Sequence, residues 1–182
     1  MKTLVIGLGN PILGDDGVGW RVAEQVAEEI NQRMTGEAIR KRRSPEDVPT
    51  YTWSSGQETI EVDCLAVGGL SLMERMIDSD RAILVDALST GQSPQGAVFC
   101  FPLDELANRA AGHLSSAHDT TIQNALQVGR CLGAKLPEKV MIVAVESTNV
   151  YDFSERLSPA VEAAVPIAVQ KVVQLLMPQE EK

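Results

Sequence analysis

The sequence has few basic and few aromatic residues. Its 182 residues include 16 lysines and arginines against 25 acidic residues, and the net charge of −9 argues against nucleic acid or an anionic membrane as the main partner. No apolar run approaches the ~20 residues that cross a bilayer, and the amino-terminal residues lack the pattern of a signal peptide. We therefore expect a cytoplasmic protein that binds neither nucleic acid nor membrane, and we take it to be a monomer.

Cysteine and the usual hydrolase signatures are also scarce. Cys64, Cys100 and Cys131 are widely separated, and no CxxC or other zinc spacing occurs, so we interpret them as reduced and mostly buried thiols. A catalytic cysteine paired with a histidine is the alternative. The sequence contains neither the HExxH motif of zinc proteases nor the GxSxG nucleophile elbow. If the protein is a hydrolase, a metal ion or a carboxylate must activate water.

Apolar runs of strand type alternate with amphipathic helical segments along the chain. Strands are expected near residues 4–6, 59–62, 82–85, 97–101 and 140–145, and helices near residues 17–33, 70–77, 118–132 and 158–177. The alternation predicts an α/β fold: one domain over residues 1–182, with three α/β/α layers and a mostly parallel five-stranded sheet that has room for one antiparallel strand. Residues 35–57 lose this periodicity and predict an exposed insertion, with a candidate strand at 51–53.

A glycine-punctuated loop with two adjacent carboxylates follows the first strand. Residues 7–19 read Gly-Leu-Gly-Asn-Pro-Ile-Leu-Gly-Asp-Asp-Gly-Val-Gly, and ligands of open α/β sheets bind at the carboxyl ends of the strands. Ile12 stands where the third glycine of GxGxxG belongs, and Asp15 and Asp16 replace the Lys and Ser/Thr of a P-loop. The loop therefore favours a cation over a phosphate, with helix capping as the ordinary alternative for the two aspartates.

Further acidic residues end the next two predicted strands. Asp63 follows the strand at 59–62 and Asp86 follows the strand at 82–85, so a parallel sheet brings both to the same edge as Asp16. The sequence has only two histidines, His113 and His118, both before a predicted helix that can lean over this edge. Two carboxylates and one imidazole are typical of an exchangeable site for zinc, nickel or a similar ion. An ordinary surface histidine is the alternative for His118.

These blocks, in this order, resemble the hydrogenase maturation endopeptidases, the nickel-dependent proteases that process the large subunit of [NiFe] hydrogenases. The resemblance is carried by the segments Leu4–Gly19, Leu84-Val85-Asp86-Ala87, Ser115-Ser116-Ala117-His118 and Leu157-Ser158-Pro159-Ala160-Val161. It implies that Asp16, Asp86 and His118 bind the metal and form the catalytic centre through it, with no separate general base assigned.

The same resemblance implies the cofactor and the partner. By this resemblance, we expect the metal to be nickel already inserted in the large-subunit precursor, and we expect the enzyme to bind that nickel before it removes the precursor's C-terminal extension. We expect zinc or cadmium to take the place of nickel in vitro. The family's Asp-Gly-Gly loop is interrupted here, because four residues separate Asp63 from its glycines, and this leaves the substrate preference open. Substrate contacts are expected from Asn10, Asp15, Asp63, Gly68 and Gly69.

Two other kinds of function stay open. A receiver module also groups carboxylates around Mg²⁺, but it needs a lysine after the last strand, where this sequence has Glu146-Ser147-Thr148-Asn149. A non-catalytic metal-binding chaperone, or an inactive relative of the proteases, would keep the same ligands. Cleavage of a nickel-loaded precursor distinguishes the protease from these alternatives.

Overall fold

Strands and helices alternate along the chain and form one sheet covered on both faces. The computed structural model describes residues 1–33, 42–43, 49–106 and 121–177. Within these ranges the strands are β1 (Lys2–Leu8), β2 (Arg42–Arg43), β3 (Pro49–Ser55), β4 (Glu58–Leu65), β5 (Arg81–Leu88), β6 (Val98–Pro102) and β7 (Lys139–Glu146). The helices there are α1 (Val18–Arg33), α2 (Gly69–Arg75), α3 (Ile122–Cys131) and α4 (Pro159–Leu176).

The sheet has a parallel centre and antiparallel margins. Its order is β2-β3-β4-β1-β5-β7-β6 across the described part of the chain. β4, β1, β5 and β7 run parallel, whereas β6 pairs antiparallel with β7, and β3 pairs antiparallel with both β2 and β4. Gly7 of β1 lies level with Cys64 of β4 and Val85 of β5, so these strands end at one edge. The predicted α/β class is confirmed, and β6 is the antiparallel strand for which the sequence left room.

The described residues form seven strands instead of the predicted five, because β2 and β3 add two antiparallel strands before β4. β3 pairs with β4 across a turn at Gly56, and Trp53 of β3 is only 3% exposed. Tyr51 and Trp53 are the only large apolar residues of an otherwise polar strand, so its period-two signal is weak. Part of the expected insertion thus belongs to the sheet, while its residues 35–41 and 44–48 lie outside the described ranges.

Helices cover both faces of the sheet, as the three-layer prediction requires. On one face, α1 and α4 pack against strand residues that include Val5, Val85 and Val143. On the other face, α2 and α3 pack against the alternating positions, which include Leu4 and Leu84. The central strands are therefore buried on both sides, which explains why they read as continuous apolar runs.

Helix α4 is a core helix despite its apolar composition. The helix has 18 residues and a mean hydropathy of 1.3. By length and composition alone, it could cross a membrane. Seven of its residues are buried, among them Val161, Val165 and Val172, and the helix packs on α1 and β7. Ser158 precedes the helix and Pro159 occupies its first turn, as the sequence predicted.

Close packing of α1 on the sheet brings its amino terminus to the ends of β1 and β5. A Cβ atom at Gly19 would lie 2.2 Å from the carbonyl oxygen of Leu8 and 2.5 Å from that of Val85. Both neighbours are backbone atoms that cannot turn aside, so this position requires glycine. The contact places the loop before α1, which carries Asp16, beside the last residues of β5, which carry Asp86.

Candidate active site

Asp16 and Asp86 come together at the carboxyl edge of the sheet. Asp16 lies in the 3-10 turn Gly14–Gly17 between β1 and α1, and Asp86 lies near the end of β5. Both are half-buried. Burial and the nearby charge of Asp16 raise the pKa of the Asp86 carboxyl to about 7. The hydrogen bond from the backbone N–H of Ala87 lowers this pKa and only partly offsets the rise. The predicted proximity of these two aspartates is therefore present in the structure.

Each carboxylate accepts a backbone hydrogen bond that fixes its direction. The N–H of Asn10 donates to Oδ2 of Asp16 at 2.6 Å, and the N–H of Ala87 donates to Oδ1 of Asp86 at 2.8 Å. Gly9 permits the first bond, because a Cβ there would lie 1.8 Å from the backbone oxygen of Asp16 and its φ is +110°. Burial raises the pKa of Asp16 as well, and the Asn10 bond opposes that rise.

No cation neutralises this pair among the described residues, since neither carboxylate forms an ion pair there. A carboxylate whose pKa is raised by burial and by a neighbouring like charge, as that of Asp86 is, is unfavourably ionised in an empty site and favourably ionised beside a metal ion. Carboxylate oxygens are also ligands for divalent metals, including nickel when imidazole joins them. The donor chemistry of Asp16 and Asp86 thus fits a divalent cation.

The third predicted ligand is not placed by the structure. His118 and His113 both lie outside the described residues. Within the described ranges, no group of three or more His, Cys, Asp and Glu side chains is close enough to hold a metal. The role of His118 as a metal ligand stays a prediction.

Asp15, the neighbour of Asp16, occupies a different environment. It is fully buried, and its carboxylate accepts hydrogen bonds from the backbone N–H and hydroxyl of Ser158, the hydroxyl of Ser147 and the side chain of Gln95. These internal bonds occupy both of its oxygens. Direct contact with substrate, as the sequence suggested, stays a prediction that would require this network to open.

Asp63 is neutralised by a basic partner. It lies inside β4, is 1% exposed, and accepts from Nε of Arg75 in α2 at 2.5 Å. Nη2 of Arg75 also binds Glu61 at 2.7 Å. The ion pair ties α2 to β4, so the loop between them is held at both ends.

The remaining predicted substrate contacts are at the surface of the same edge. Gly68 precedes α2 and is exposed, and Gly69 begins α2 with φ +52°. Asn10 is half-buried and closes the turn that precedes Asp16, accepting from the N–H of Ile12 at 3.2 Å. Their contact with substrate stays a prediction.

Comparison with known proteins identifies the family. A sequence profile described as hydrogenase maturation protease matches residues 63–175, which is more than half of the chain. The chain belongs to the hydrogenase maturation protease family. It is therefore a hydrolase of peptide bonds.

Relatives and solved structures agree with this family assignment. The chain is 25% identical to the hydrogenase expression/formation protein HupD of Rhizobium leguminosarum bv. viciae, over 96% of this chain and 74% of that protein. It is 24% identical to the hydrogenase 2 maturation protease of Escherichia coli, over 97% and 91%. The solved structure of the hydrogenase maturating endopeptidase HybD from E. coli has the same fold, with a TM-score of 0.65, 20% identity and coverage of 99% and 94%.

The thiols of this maturation protease do not form a site with the carboxylate pair in the described chain. Cys64 is buried and donates to the carbonyl oxygen of Trp20, and burial raises the pKa of its thiol, which disfavours the nucleophilic thiolate. Cys100 and Cys131 are exposed, so the prediction of mostly buried cysteines is wrong. Both lie at margins, on the edge strand β6 and at the end of α3.

An exposed apolar cluster borders the Asp16 loop of the protease. Tyr151 and Phe153 are 84% and 86% exposed, and Ile12 is 44% exposed. The N–H of Ser154 donates to the carbonyl oxygen of Ile12 at 3.1 Å, which fixes the segment after β7 beside the loop. This cluster has no signal in the sequence, because only the fold brings residue 12 to residue 153.

A cavity of about 350 Å³ lies elsewhere, at the amino ends of β5 and β7, where Arg81 and Lys139 line it. It is at the opposite edge of the sheet from Asp16 and Asp86, and it has no part in the site.

Proposed function

We propose that this protease recognises nickel in the precursor of a [NiFe] hydrogenase large subunit and removes the precursor's C-terminal extension. We further propose that it acts in the cytoplasm as a monomer. The observation that carries the proposal is the pair of half-buried carboxylates, Asp16 and Asp86, which lies without a neutralising cation among the described residues in a member of the maturation protease family.

The donor set explains why the metal would arrive with the substrate. Two carboxylates are an incomplete ligand set, and even with His118 as a third ligand the open positions limit the affinity for free metal. A nickel ion that is already held by a partner protein gains affinity from the protein contacts made at the same time. Zinc and cadmium are expected to take the site only as stand-ins in vitro.

The exposed cluster supplies a surface for those protein contacts. A nickel ion that reaches Asp16 from outside must approach the edge that Ile12, Tyr151 and Phe153 border. Exposed aromatic side chains are enriched at protein interfaces. We expect the precursor to cover this cluster when its nickel reaches the carboxylates.

Nickel bound between the carboxylates would polarise the scissile carbonyl or lower the pKa of a water molecule. The chain's own contribution is to hold the two carboxylates in position through the N–H groups of Asn10 and Ala87. Cleavage would be limited to precursors that carry nickel, since a precursor without nickel offers these carboxylates no metal ion to bind.

The test is co-expression of the protease with candidate large-subunit precursors from its own source, with and without nickel, followed by mass spectrometry of the large subunit. We expect loss of a C-terminal peptide only when nickel is present, with wild type and with Glu138→Gln, an exposed acid at the opposite edge. Asp16→Asn and Asp86→Asn are expected to leave the extension in place.

The same experiment decides between the remaining alternatives. Failure of the wild type to cleave any nickel-loaded precursor would favour a metal-binding chaperone or an inactive relative. The receiver-module alternative is disfavoured by the family assignment and by the absence of lysine from residues 146–149.

A further inference from the structure

The carboxylate of Asp15 is a buried junction between separate segments of the chain. Oδ1 accepts from the N–H of Ser158 at 2.6 Å, and Oδ2 accepts from the hydroxyls of Ser147 and Ser158 at 2.7 and 2.8 Å. The side-chain amide of Gln95 donates to Oδ2 at 3.1 Å. A buried carboxylate with several donors is costly to remove, because each donor would lose its partner.

The joined segments all leave the carboxyl edge of the sheet. Gln95 lies between β5 and β6, Ser147 directly follows β7, and Ser158 precedes α4. Backbone bonds strengthen the junction: the N–H of Asp15 donates to the carbonyl oxygen of Asn149 at 3.0 Å, and the N–H of Gly14 donates to that of Ser154 at 2.7 Å. The turn that carries Asp16 is therefore fastened to the segment 147–158 rather than free at the surface.

Asp15 and Asp16 are consecutive, so the position of one restricts the position of the other. Asp15 is 0% exposed and bound on both oxygens, whereas Asp16 is half-buried and accepts from the N–H of Asn10. A 3-10 turn over Gly14–Gly17 sets the angle between the two side chains. Loosening the anchor at Asp15 would let this turn, and with it the Asp16 carboxylate, shift.

We propose that Asp15 is a positioning residue. Its hydrogen bonds connect the Gly14–Gly17 turn to residues 147–158 and so hold Asp16 in place at the site. In this proposal Asp15 acts on Asp16 through the network and needs no direct contact with the substrate. Its consequence for processing rests on the proposed function, whereas its effect on the geometry of Asp16 does not. The alternative is that Asp15 serves only the stability of the fold.

Amide hydrogen exchange measured by NMR on the full chain tests the proposal without substrate or metal. The N–H of Asn10 reports on Asp16, to which it is bonded, and the N–H of Lys2, bonded to Asp80 at the opposite edge, is the reference. In Asp15→Asn we expect exchange at Asn10 to quicken at least tenfold, while exchange at Lys2 changes less than twofold. Asparagine preserves the shape of the side chain but places an NH₂ group where an oxygen accepts from other donors.

Val172→Ala is the matched control, because it removes buried volume from α4 without touching the network. We expect it to leave the ratio of exchange at Asn10 and Lys2 unchanged. An unchanged ratio in Asp15→Asn, or the same change in Val172→Ala, would overturn the proposal. If Asp15→Asn does not fold, Ser158→Ala takes its place, because it removes one hydroxyl and retains the backbone donor.

Processing kinetics give a second readout with a nickel-loaded precursor that the wild type cleaves. We expect Ser158→Ala to lower kcat at least threefold with KM within twofold, and Ser158→Thr, which restores the hydroxyl, to recover kcat. A purely structural role would leave both constants of the folded enzyme unchanged and would contradict the proposal. If the wild type cleaves no precursor, the proposed function fails, and the exchange ratio alone decides the role of Asp15.

Discussion

The charge of Asp16 reaches Asp86 across the carboxyl edge of the sheet, and together with burial it raises the pKa of the Asp86 carboxyl to about 7. The pair exists because Gly19 lets α1 approach β1 and β5 closely enough to bring the preceding turn beside the end of β5. A strained pair of like charges is typical of functional sites, and here it is available for a cation.

Protonation of Asp86 is expected to control metal binding. Below about pH 7 the metal-free carboxyl carries a proton and is a poor ligand, so metal binding and processing should increase as the pH rises through about 7. Asp16→Asn removes the like charge and should move the titration of Asp86 to lower pH. The measurement is the carboxyl carbon shift of Asp86 by NMR in the metal-free protein. A pKa of Asp86 near its ordinary value of 3.8 in the wild type would contradict this prediction.

The same shift predicts that Asp86→Asn stabilises the metal-free protein at high pH. Because the pKa is higher in the folded state, the carboxyl contributes stability fully below its unfolded pKa of 3.8, and this contribution is lost as the pH rises through about 7. Each pKa unit corresponds to about 1.4 kcal/mol, so removal of the ionised group should raise the free energy of unfolding at pH 8 by about 1 to 4 kcal/mol. Urea unfolding at pH 8 and pH 3 tests this, with Glu138→Gln as the control. Lower stability of Asp86→Asn at pH 8 would be inconsistent with a destabilising charge.

The approach of α1 to the sheet depends on the missing side chain at Gly19. Gly19→Ala would place its Cβ against two backbone carbonyl oxygens, and it should lower the free energy of unfolding by about 3 kcal/mol or more. Gly68→Ala is the matched control, because its Cβ would meet nothing within 4 Å and its φ of −136° suits any residue. Thermal unfolding of both variants measures the difference. Equal stability would show that α1 can move away from β1 without cost.

The exposed cluster beside the Asp16 loop should contribute to precursor binding. Phe153→Ser is expected to raise the KM of processing at least threefold with little change in kcat, since Phe153 is 86% exposed and is remote from the buried core. Leu132→Ser is the control, because Leu132 is 80% exposed at the far end of α3. Steady-state processing of a nickel-loaded precursor provides both constants. Equal KM values for the two variants would remove this cluster from the interface.

Much of the fold and part of the site could be predicted from the sequence. The central strands are continuous apolar runs because they are buried on both faces, and that is a strong signal. The placement of Asp16 and Asp86 followed from parallel strands that end at one edge. In contrast, β3 carries only Tyr51 and Trp53 as large apolar residues, so its pairing with β4 depends on tertiary contacts that a local pattern does not contain.

The roles of the other acidic residues required the structure. Apart from the family resemblance, nothing in the local sequence distinguishes Asp15 from Asp16, because the partners of Asp15 are 80 to 143 residues away. In the sequence, Asp63 and Asp86 both follow a predicted strand. In the structure, Arg75 of α2 neutralises Asp63, whereas Asp86 has no such partner among the described residues. Contacts between residues so far apart in the chain leave no periodic pattern in the local sequence. His118 lies outside the described residues, so its place at the site stays a prediction.

Nickel-dependent processing is tested by cleavage of a purified large-subunit precursor, loaded with nickel or free of it, followed by intact mass spectrometry. We expect the wild type and His113→Ala to remove a C-terminal peptide from the nickel-loaded precursor only. We expect Asp16→Asn, Asp86→Asn and His118→Ala to leave the precursor intact while remaining folded. Equal cleavage of the nickel-free precursor, or full processing by Asp86→Asn, would contradict these expectations.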